Sequence, residues 1–273
     1  MINYKLVAFD MDGTLLNSQK QISKNNIKAI EKAIENEKIV ILNTGRCPAE
    51  LEEFFEKIDI QYLNCVSGAF VYDRKNDIMI YSKTLDIETI KQLLSITKKE
   101  DTMVQLLTKD SIVEKRKIAQ MDKYHMGVYQ DMYERVTTKV DDLYKEYDNN
   151  PFEVAKFNIY HISQEARQRT KQRILDLNLD VEMADAEETS LEISAKDVHK
   201  GIGLKKLCEY LNVSMFETIV VGDADNDKEA LKVAGLAIVM ANGKESVKEL
   251  ADVVVSDNDH DGCQEVIEKY MLS

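Results

Sequence analysis

The segment Val7-Ala8-Phe9-Asp10-Met11-Asp12-Gly13-Thr14 sets two carboxylates two residues apart, where an apolar run ends and a glycine lets the chain turn. Two acids this close repel each other unless one is protonated or a cation lies between them. An oxygen-liganded divalent ion, Mg²⁺ before others, resolves that conflict. A second acidic segment, Gly222-Asp223-Ala224-Asp225-Asn226-Asp227, follows another buried run, Thr218 to Val221. Helix N-capping accounts for one of its aspartates, not three. The string shares letters with an EF-hand loop but lacks that loop's glycine and distal glutamate at the required offsets. Between these segments, Asn43-Thr44-Gly45-Arg46 follows Ile39 to Leu42. A hydroxyl and free backbone N–H groups at such a place can hold a phosphate, and the same letters also make an ordinary N-cap with a turn glycine. Lys200, in Asp197-Val198-His199-Lys200-Gly201, carries no signal alone among 36 basic residues.

Elements that could position these groups are legible around them. Leu6 to Asp10 and Ile39 to Leu42 read as buried strands, and Ile27, Ile30 and Ile34 recur at helical spacing between them. Pro48 suits the first turn of a helix carrying Leu51, Phe54 and Phe55. Phe70 to Tyr72 and Ile78 to Tyr81 flank a polar turn and predict a hairpin. After residue 200 the pattern returns. A helix over 201–211 is expected, then a strand at Thr218 to Val221, a helix from Asp225 to Ala234, and strands at Leu236 to Met240 and Val253 to Val255. Unalternating strands separated by amphipathic helices predict an α/β fold, a Rossmann-like parallel-sheet core covered on both faces. In such sheets ligands bind at the carboxyl ends of the strands, where the acidic segments lie. Residues 84–194 differ in texture, mixing Lys- and Tyr-rich helical stretches with short strands such as Phe157 to Ile162.

Composition removes several classes of function. The 36 basic and 49 acidic residues give a net charge of −13, which disfavours nucleic acid and anionic membranes as partners. The longest apolar runs fall far short of a bilayer span, and the N-terminal residues show no signal-peptide core. Cys47, Cys65, Cys208 and Cys263 are scattered without C-x-x-C or ligand spacing, so reduced structural thiols and a cytoplasmic location are expected. Oligomeric state is not legible.

Taken in order, Asp10-Met11-Asp12-Gly13-Thr14, Thr44-Gly45-Arg46, Lys200-Gly201 and Gly222-Asp223-Ala224-Asp225-Asn226-Asp227 resemble the four motifs of the haloacid dehalogenase superfamily, and more narrowly its Cof-type phosphatases. The resemblance implies a catalytic core of residues 1–83 and 195–273, interrupted by an inserted α+β cap over 84–194, too long for any loop. Two departures stand out. The family's Asn-Gly-Ala after the third strand is Ser67-Gly68-Ala69 here, and its Ala-Met-Gly-Asn-Ala is Val239-Met240-Ala241-Asn242-Gly243.

The resemblance also implies roles. Asp10 would attack phosphorus to give an aspartyl-phosphate. Asp12 would act as general acid, then base, which calls for a raised pKa. Mg²⁺ would be held by Asp10, Asp223 and the backbone carbonyl of Asp12. Met11, Thr44, Gly45, Lys200 and Asn226 would bind the phosphoryl oxygens, and Asp227 would orient Lys200 or a metal-bound water. The implied partner is a small phosphate ester of the sugar phosphate, pyridoxal phosphate or flavin mononucleotide class. A phosphotransferase or phosphomutase, or a non-catalytic phosphate-binding module, would use the same core. In the cap, Lys115-Arg116-Lys117 and Tyr124-His125-Met126 could contact the leaving group; a solvated basic face and core aromatics explain them equally well.

Overall fold

Aliphatic runs without alternation form strands buried on both faces, and this chain has two sets of them. The computed structural model describes residues 3–185 and 188–273. The chain first lays down β1 (Leu6–Phe9), β2 (Ile39–Asn43), β3 (Tyr62–Cys65), β4 (Phe70–Asp73) and β5 (Ile78–Ser82). An insertion follows with β6 (Thr102–Leu107), β7 (Ser111–Glu114), β8 (Thr138–Val140), β9 (Lys156–His161), β10 (Val181–Asp185) and β11 (Ser190–Ala195). The chain then returns with β12 (Thr218–Gly222), β13 (Leu236–Met240) and β14 (Val253–Val255). Two compact units result, one of Met1–Arg46, Glu52–Ser82 and His199–Ser273, the other of Cys47–Leu51 and Lys83–Val198.

The first unit is an α/β core built on one sheet, ordered β14-β13-β12-β1-β2-β3-β4-β5. Its strands are parallel from β14 to β3, and the expected hairpin of β4 and β5 adds two antiparallel strands at one edge. From β1 the chain steps outward to β2 and β3, and its second half steps the other way from β12. The switch in direction therefore lies between β1 and β12, whose register pairs Phe9 with Val221. One core cluster joins Leu6, Ala8, Ile41, Val220 and Val239 to Leu204 and Leu207 of the helix Lys200–Leu211. The helix Lys24–Glu35 is capped by Ser23, whose side chain accepts the Asn26 N–H, and buries Ala29, Ile30 and Ala33. The helix expected over Asp225 to Ala234 is shorter. A 3₁₀ turn, Asp225–Asp227, precedes one helical turn, Lys228–Leu231, because Asp227 bonds back to the start of its own loop.

The second unit carries the other sheet, ordered β10-β11-β9-β6-β7-β8 and antiparallel except for β7 with β8. Strand alternation gives it two different faces. Leu106, Phe157 and Ile193 lie in register on one, as do Val104, Ile159 and Leu191. Gln105, Asn158 and Glu192 lie in register on the other. Residues 47–51 join this unit: the Ala49 N–H donates to the Lys109 carbonyl at 3.0 Å, and Glu50 Oε1 accepts from Gln105 Nε2 at 2.9 Å. The segment after Pro48 is thus a 3₁₀ turn, Pro48–Leu51, then a short helix, Glu52–Phe55, split between the units. All four cysteines are buried, and among the described residues no helix is long and apolar enough to cross a membrane.

Candidate active site

At the carboxyl ends of β1 and β12, the acidic segments meet around one cation. Lys200 opens its helix and has no exposed surface; its Nζ lies 2.6 Å from Asp10 Oδ1 and 2.7 Å from Asp227 Oδ1. Asp227 Oδ2 accepts the backbone N–H groups of Asp223 and Ala224 at 3.0 and 3.1 Å, so both its oxygens are committed. Asp223 lies close to Asp10, its Oδ1 accepting from Thr14 Oγ1 at 2.8 Å. Carboxylate oxygens of Asp10, Asp223 and Asp227 lie within 4.8 Å of one another. Asp225, the remaining acid of that loop, pairs at the surface with Lys228 and Lys244.

This crowding sets the electrostatics. Burial raises the Asp10 carboxyl; Lys200 opposes that, Asp227 and Asp223 add to it, and the net displacement is upward. Asp223 is pushed up to about 6, chiefly by burial and, with Thr14 opposing, by Asp227. Burial would discharge Lys200, but the Asp10 and Asp227 carboxylates outweigh it and hold the ammonium above its usual range. A further cation beside Asp10 and Asp223 would relieve the repulsion between them. The donor set suits a hard divalent ion: oxygens only, with Asp227 spent on Lys200 and the loop, and Asp10 and Asp223 left to bind. Gly13, at φ +84°, makes the approach possible, since a Cβ there would stand 2.5 Å from Asp223 Oδ2.

Asp12 departs from expectation. Burial alone would raise it, but Arg46 grips both oxygens, Nε to Oδ2 and a terminal nitrogen to Oδ1, each at 2.9 Å. Lys20 Nζ adds a contact to Oδ1 at 2.8 Å. Together they hold the Asp12 carboxyl down at about 2, whereas the sequence argument called for a raised value. The correction has a simple physical cause, a bidentate guanidinium on the same carboxylate.

The other motif residues lie at the same edge of the sheet. Met11 and Thr44 are buried, Gly45 is half-buried and Asn226 is exposed in its 3₁₀ turn. Thr44 Oγ1 accepts the Arg46 N–H at 3.2 Å, a local turn contact. A strained turn braces this loop. Val66 and Ser67 have φ of 50° and 57°, and their N–H groups donate to the carbonyls of Arg46 and Thr44, both at 3.0 Å. Asparagine tolerates that left-handed conformation better than serine, so Ser67 holds this turn at some conformational cost and offers a hydroxyl where the family has an amide. Asn242 donates to the Gly13 carbonyl at 2.8 Å, which ties the other departing loop to the first motif. Arg46, Thr14 and Asn64 contribute geometry that sequence reasoning gave no role. For Arg46 the signal was present, a cation at a strand end following a candidate phosphate loop.

In the second unit, Tyr124 and Met126 are core residues; Tyr124 OH donates to Asp101 Oδ1 at 2.7 Å and accepts from Lys117 Nζ at 2.6 Å. His125 is exposed, and Arg116, also exposed, pairs with Glu114 at 3.3 Å.

Known proteins resemble this chain over nearly its whole length. The phosphatase YwpJ of Bacillus subtilis is 27% identical over 290 residues, covering 98% of this chain and all of that one. The 5-amino-6-(5-phospho-D-ribitylamino)uracil phosphatase YcsE of the same organism is 27% identical over 272 residues, covering 99% of this chain and 97% of that one. The fold matches a haloacid dehalogenase-like hydrolase of Bacteroides thetaiotaomicron with a TM-score of 0.87 at 23% identity, over 98% of this chain and 99% of that one. A family model describing haloacid dehalogenase-like hydrolases spans residues 7–267, from β1 to beyond β14, and to that family this chain belongs.

Proposed function

We propose that the protein is a Mg²⁺-dependent phosphatase that hydrolyses small phosphate monoesters through an aspartyl-phosphate on Asp10. The observation that carries this reading is the buried Lys200 ammonium set between Asp10 and Asp227, beside Asp223. A fixed cation against a strand-end carboxylate suits a nucleophile that must meet a phosphate dianion. A structural protein would have no use for so costly a cluster.

In the first step an Asp10 oxygen bonds to phosphorus, the ester P–O bond breaks, and the leaving oxygen takes a proton from Asp12. In the second, water attacks phosphorus, gives its proton to Asp12, and the acyl P–O bond breaks to free Asp10 and phosphate. Lys200, Thr44, Gly45, Asn226 and the Met11 N–H hold the phosphoryl oxygens, while Asp227 holds Lys200. Gripped by Arg46, Asp12 is a base; it serves as an acid once its carboxylate leaves the guanidinium and its pKa rises. Asp10, Asp223 and the Asp12 carbonyl would hold Mg²⁺, which neutralises charge on the transferring group.

The groups that hold phosphate are common to every ester, so choice among substrates falls to side chains outside the motifs. Arg116 and His125, exposed on the inserted unit, are the first candidates. The name of YcsE, a phosphoribityl-compound phosphatase, supports including flavin-related esters with sugar and pyridoxal phosphates. The test is p-nitrophenyl phosphate hydrolysis with Mg²⁺, with chelator, and with added Ca²⁺. Activity should need Mg²⁺ and fall in excess Ca²⁺, whose longer bonds and larger ligand number misplace the nucleophile. Full activity in chelator would sink the metal assignment, and transfer to an added sugar alcohol in place of water would favour a phosphotransferase.

A further inference from the structure

Two buried asparagines stand among mostly apolar residues of the core sheet. Asn43 ends β2 and Asn64 lies in β3; they face each other in the strand register, and neither has exposed surface. Asn64 Nδ2 donates twice, to Asn43 Oδ1 at 2.6 Å and to the backbone carbonyl of Lys200 at 2.7 Å. The Lys200 carbonyl can only accept, so it dictates which way the Asn64 amide points, and Asn43 must then present its oxygen. Asn64 Oδ1 fits against the first turn of the Lys200–Leu211 helix, where a Cβ at Gly203 would stand 1.9 Å from it. Among the described residues, Asn64 Oδ1 and Asn43 Nδ2 have no hydrogen-bond partner.

An amide pair with two unpaired polar atoms is a poor way to fill a dry core, and two aliphatic side chains would do so at lower cost. What it offers instead is direction. The peptide unit of Lys200 is held by a donor on a rigid strand, so the side chain starts from a fixed point on its way to Asp10 and Asp227. We infer that Asn64, oriented by Asn43, is a positioning residue for Lys200, and through it for the phosphoryl-binding end of the site. This rests on the phosphatase reading above.

The test compares Asn64→Leu and the double variant Asn43→Val/Asn64→Leu with wild type, each also in a Lys200→Ala background. The readouts are kcat and KM for p-nitrophenyl phosphate with Mg²⁺, the Kd of inorganic phosphate by calorimetry, and Tm. Loss of positioning should lower kcat roughly 10- to 100-fold and weaken phosphate binding. The double variant, which leaves no half-paired amide, should keep or raise Tm. In the Lys200→Ala background the Asn64 change should cost nothing further. Wild-type kinetics and phosphate affinity in Asn64→Leu would overturn the inference. So would an equal loss with and without Lys200, which marks a general structural role. If Asn64→Leu fails to fold, the double variant decides by the same readouts. If wild type fails to hydrolyse the ester, the phosphatase reading fails, and the phosphate Kd alone then decides the positioning role.

Discussion

In the core sheet the reactive groups come after the strands: Asp10 follows β1, Thr44 follows β2 and Asp223 follows β12, while the strands themselves, the Asn43–Asn64 pair among the exceptions, are mostly apolar. The inserted sheet carries polar groups in mid-strand, with Gln105, Asn158 and Glu192 side by side on one face. There Gln105 is fully paired by its neighbours, and Glu192 pairs with Lys156 at 2.7 Å. Gln105 Nε2 donates to Glu50 Oε1 and Ser111 Oγ at 2.9 and 2.7 Å, and its Oε1 accepts from Asn158 Nδ2 and Tyr160 OH at 2.9 and 2.7 Å. Past the end of a strand, like charges are crowded in a way that a cation can relieve. Mid-strand, a polar group is cheap only if the fold pairs it. The first arrangement is poised for chemistry, and the second is architecture.

That contrast can be broken at its strongest point first. Asp10→Asn should cut turnover by roughly 10⁴-fold or more, because it removes the attacking atom, and Asp12→Asn by about 10²–10⁴-fold. Steady-state kinetics on p-nitrophenyl phosphate checks both. Next, Lys200→Ala should lower kcat/KM for all phosphate esters by a common factor of roughly 10²–10³. Arg116→Ala and His125→Ala should instead reorder a substrate panel. If Lys200→Ala reorders the panel and an alanine scan of the inserted unit does not, the division of labour is wrong.

A change confined to architecture should behave differently. Gln105→Leu withdraws a partner from Glu50, Ser111, Asn158 and Tyr160, and should cost about 1–3 kcal/mol of stability in chemical denaturation. Its kcat on p-nitrophenyl phosphate should stay at the wild-type value. The smallest effect concerns His161, fully buried on β9 with Nδ1 2.9 Å from the Thr189 carbonyl. Burial lowers its pKa below 6.5, so its contribution to stability is complete above that pH. As pH falls below 6.5 the unfolded chain takes up a proton that the folded chain refuses, and stability drops by at most about 1.4 kcal/mol per pH unit. Denaturation midpoints from pH 7 to pH 5 should fall less steeply in His161→Phe.

Much of the core was legible because its two signals are local. Short β-branched runs bounded by turn residues, such as Ile39 to Leu42, read as buried strands, and acids packed as tightly as those at 223–227 demand a reason. The family resemblance set Asp227 apart as the acid that orients Lys200 or a metal-bound water, and its contact with Lys200 is the one the geometry holds. Arg46 was visible as a cation at the end of a strand, but its clamp on Asp12 was not, because it depends on two loops meeting across β1 and β2. Asn64 was hidden for a different reason: an asparagine near a strand end reads as a turn residue, and only the register against Asn43 shows it inside the sheet. In the inserted unit, alternation in β6 and β9 is masked because both faces are covered. Tyr124 could be placed in the core only once its hydroxyl was seen between Asp101 and Lys117.

The central claim is that Asp10 is the nucleophile, and the direct measurement is to look for phosphate on it. Enzyme turning over p-nitrophenyl phosphate with Mg²⁺ is quenched in acid, digested and sequenced by mass spectrometry. A phosphoryl group on the Asp10 side chain, absent from the Asp10→Asn protein, is the predicted result. Phosphate found on another residue, or wild-type turnover by Asp10→Asn, would contradict the account.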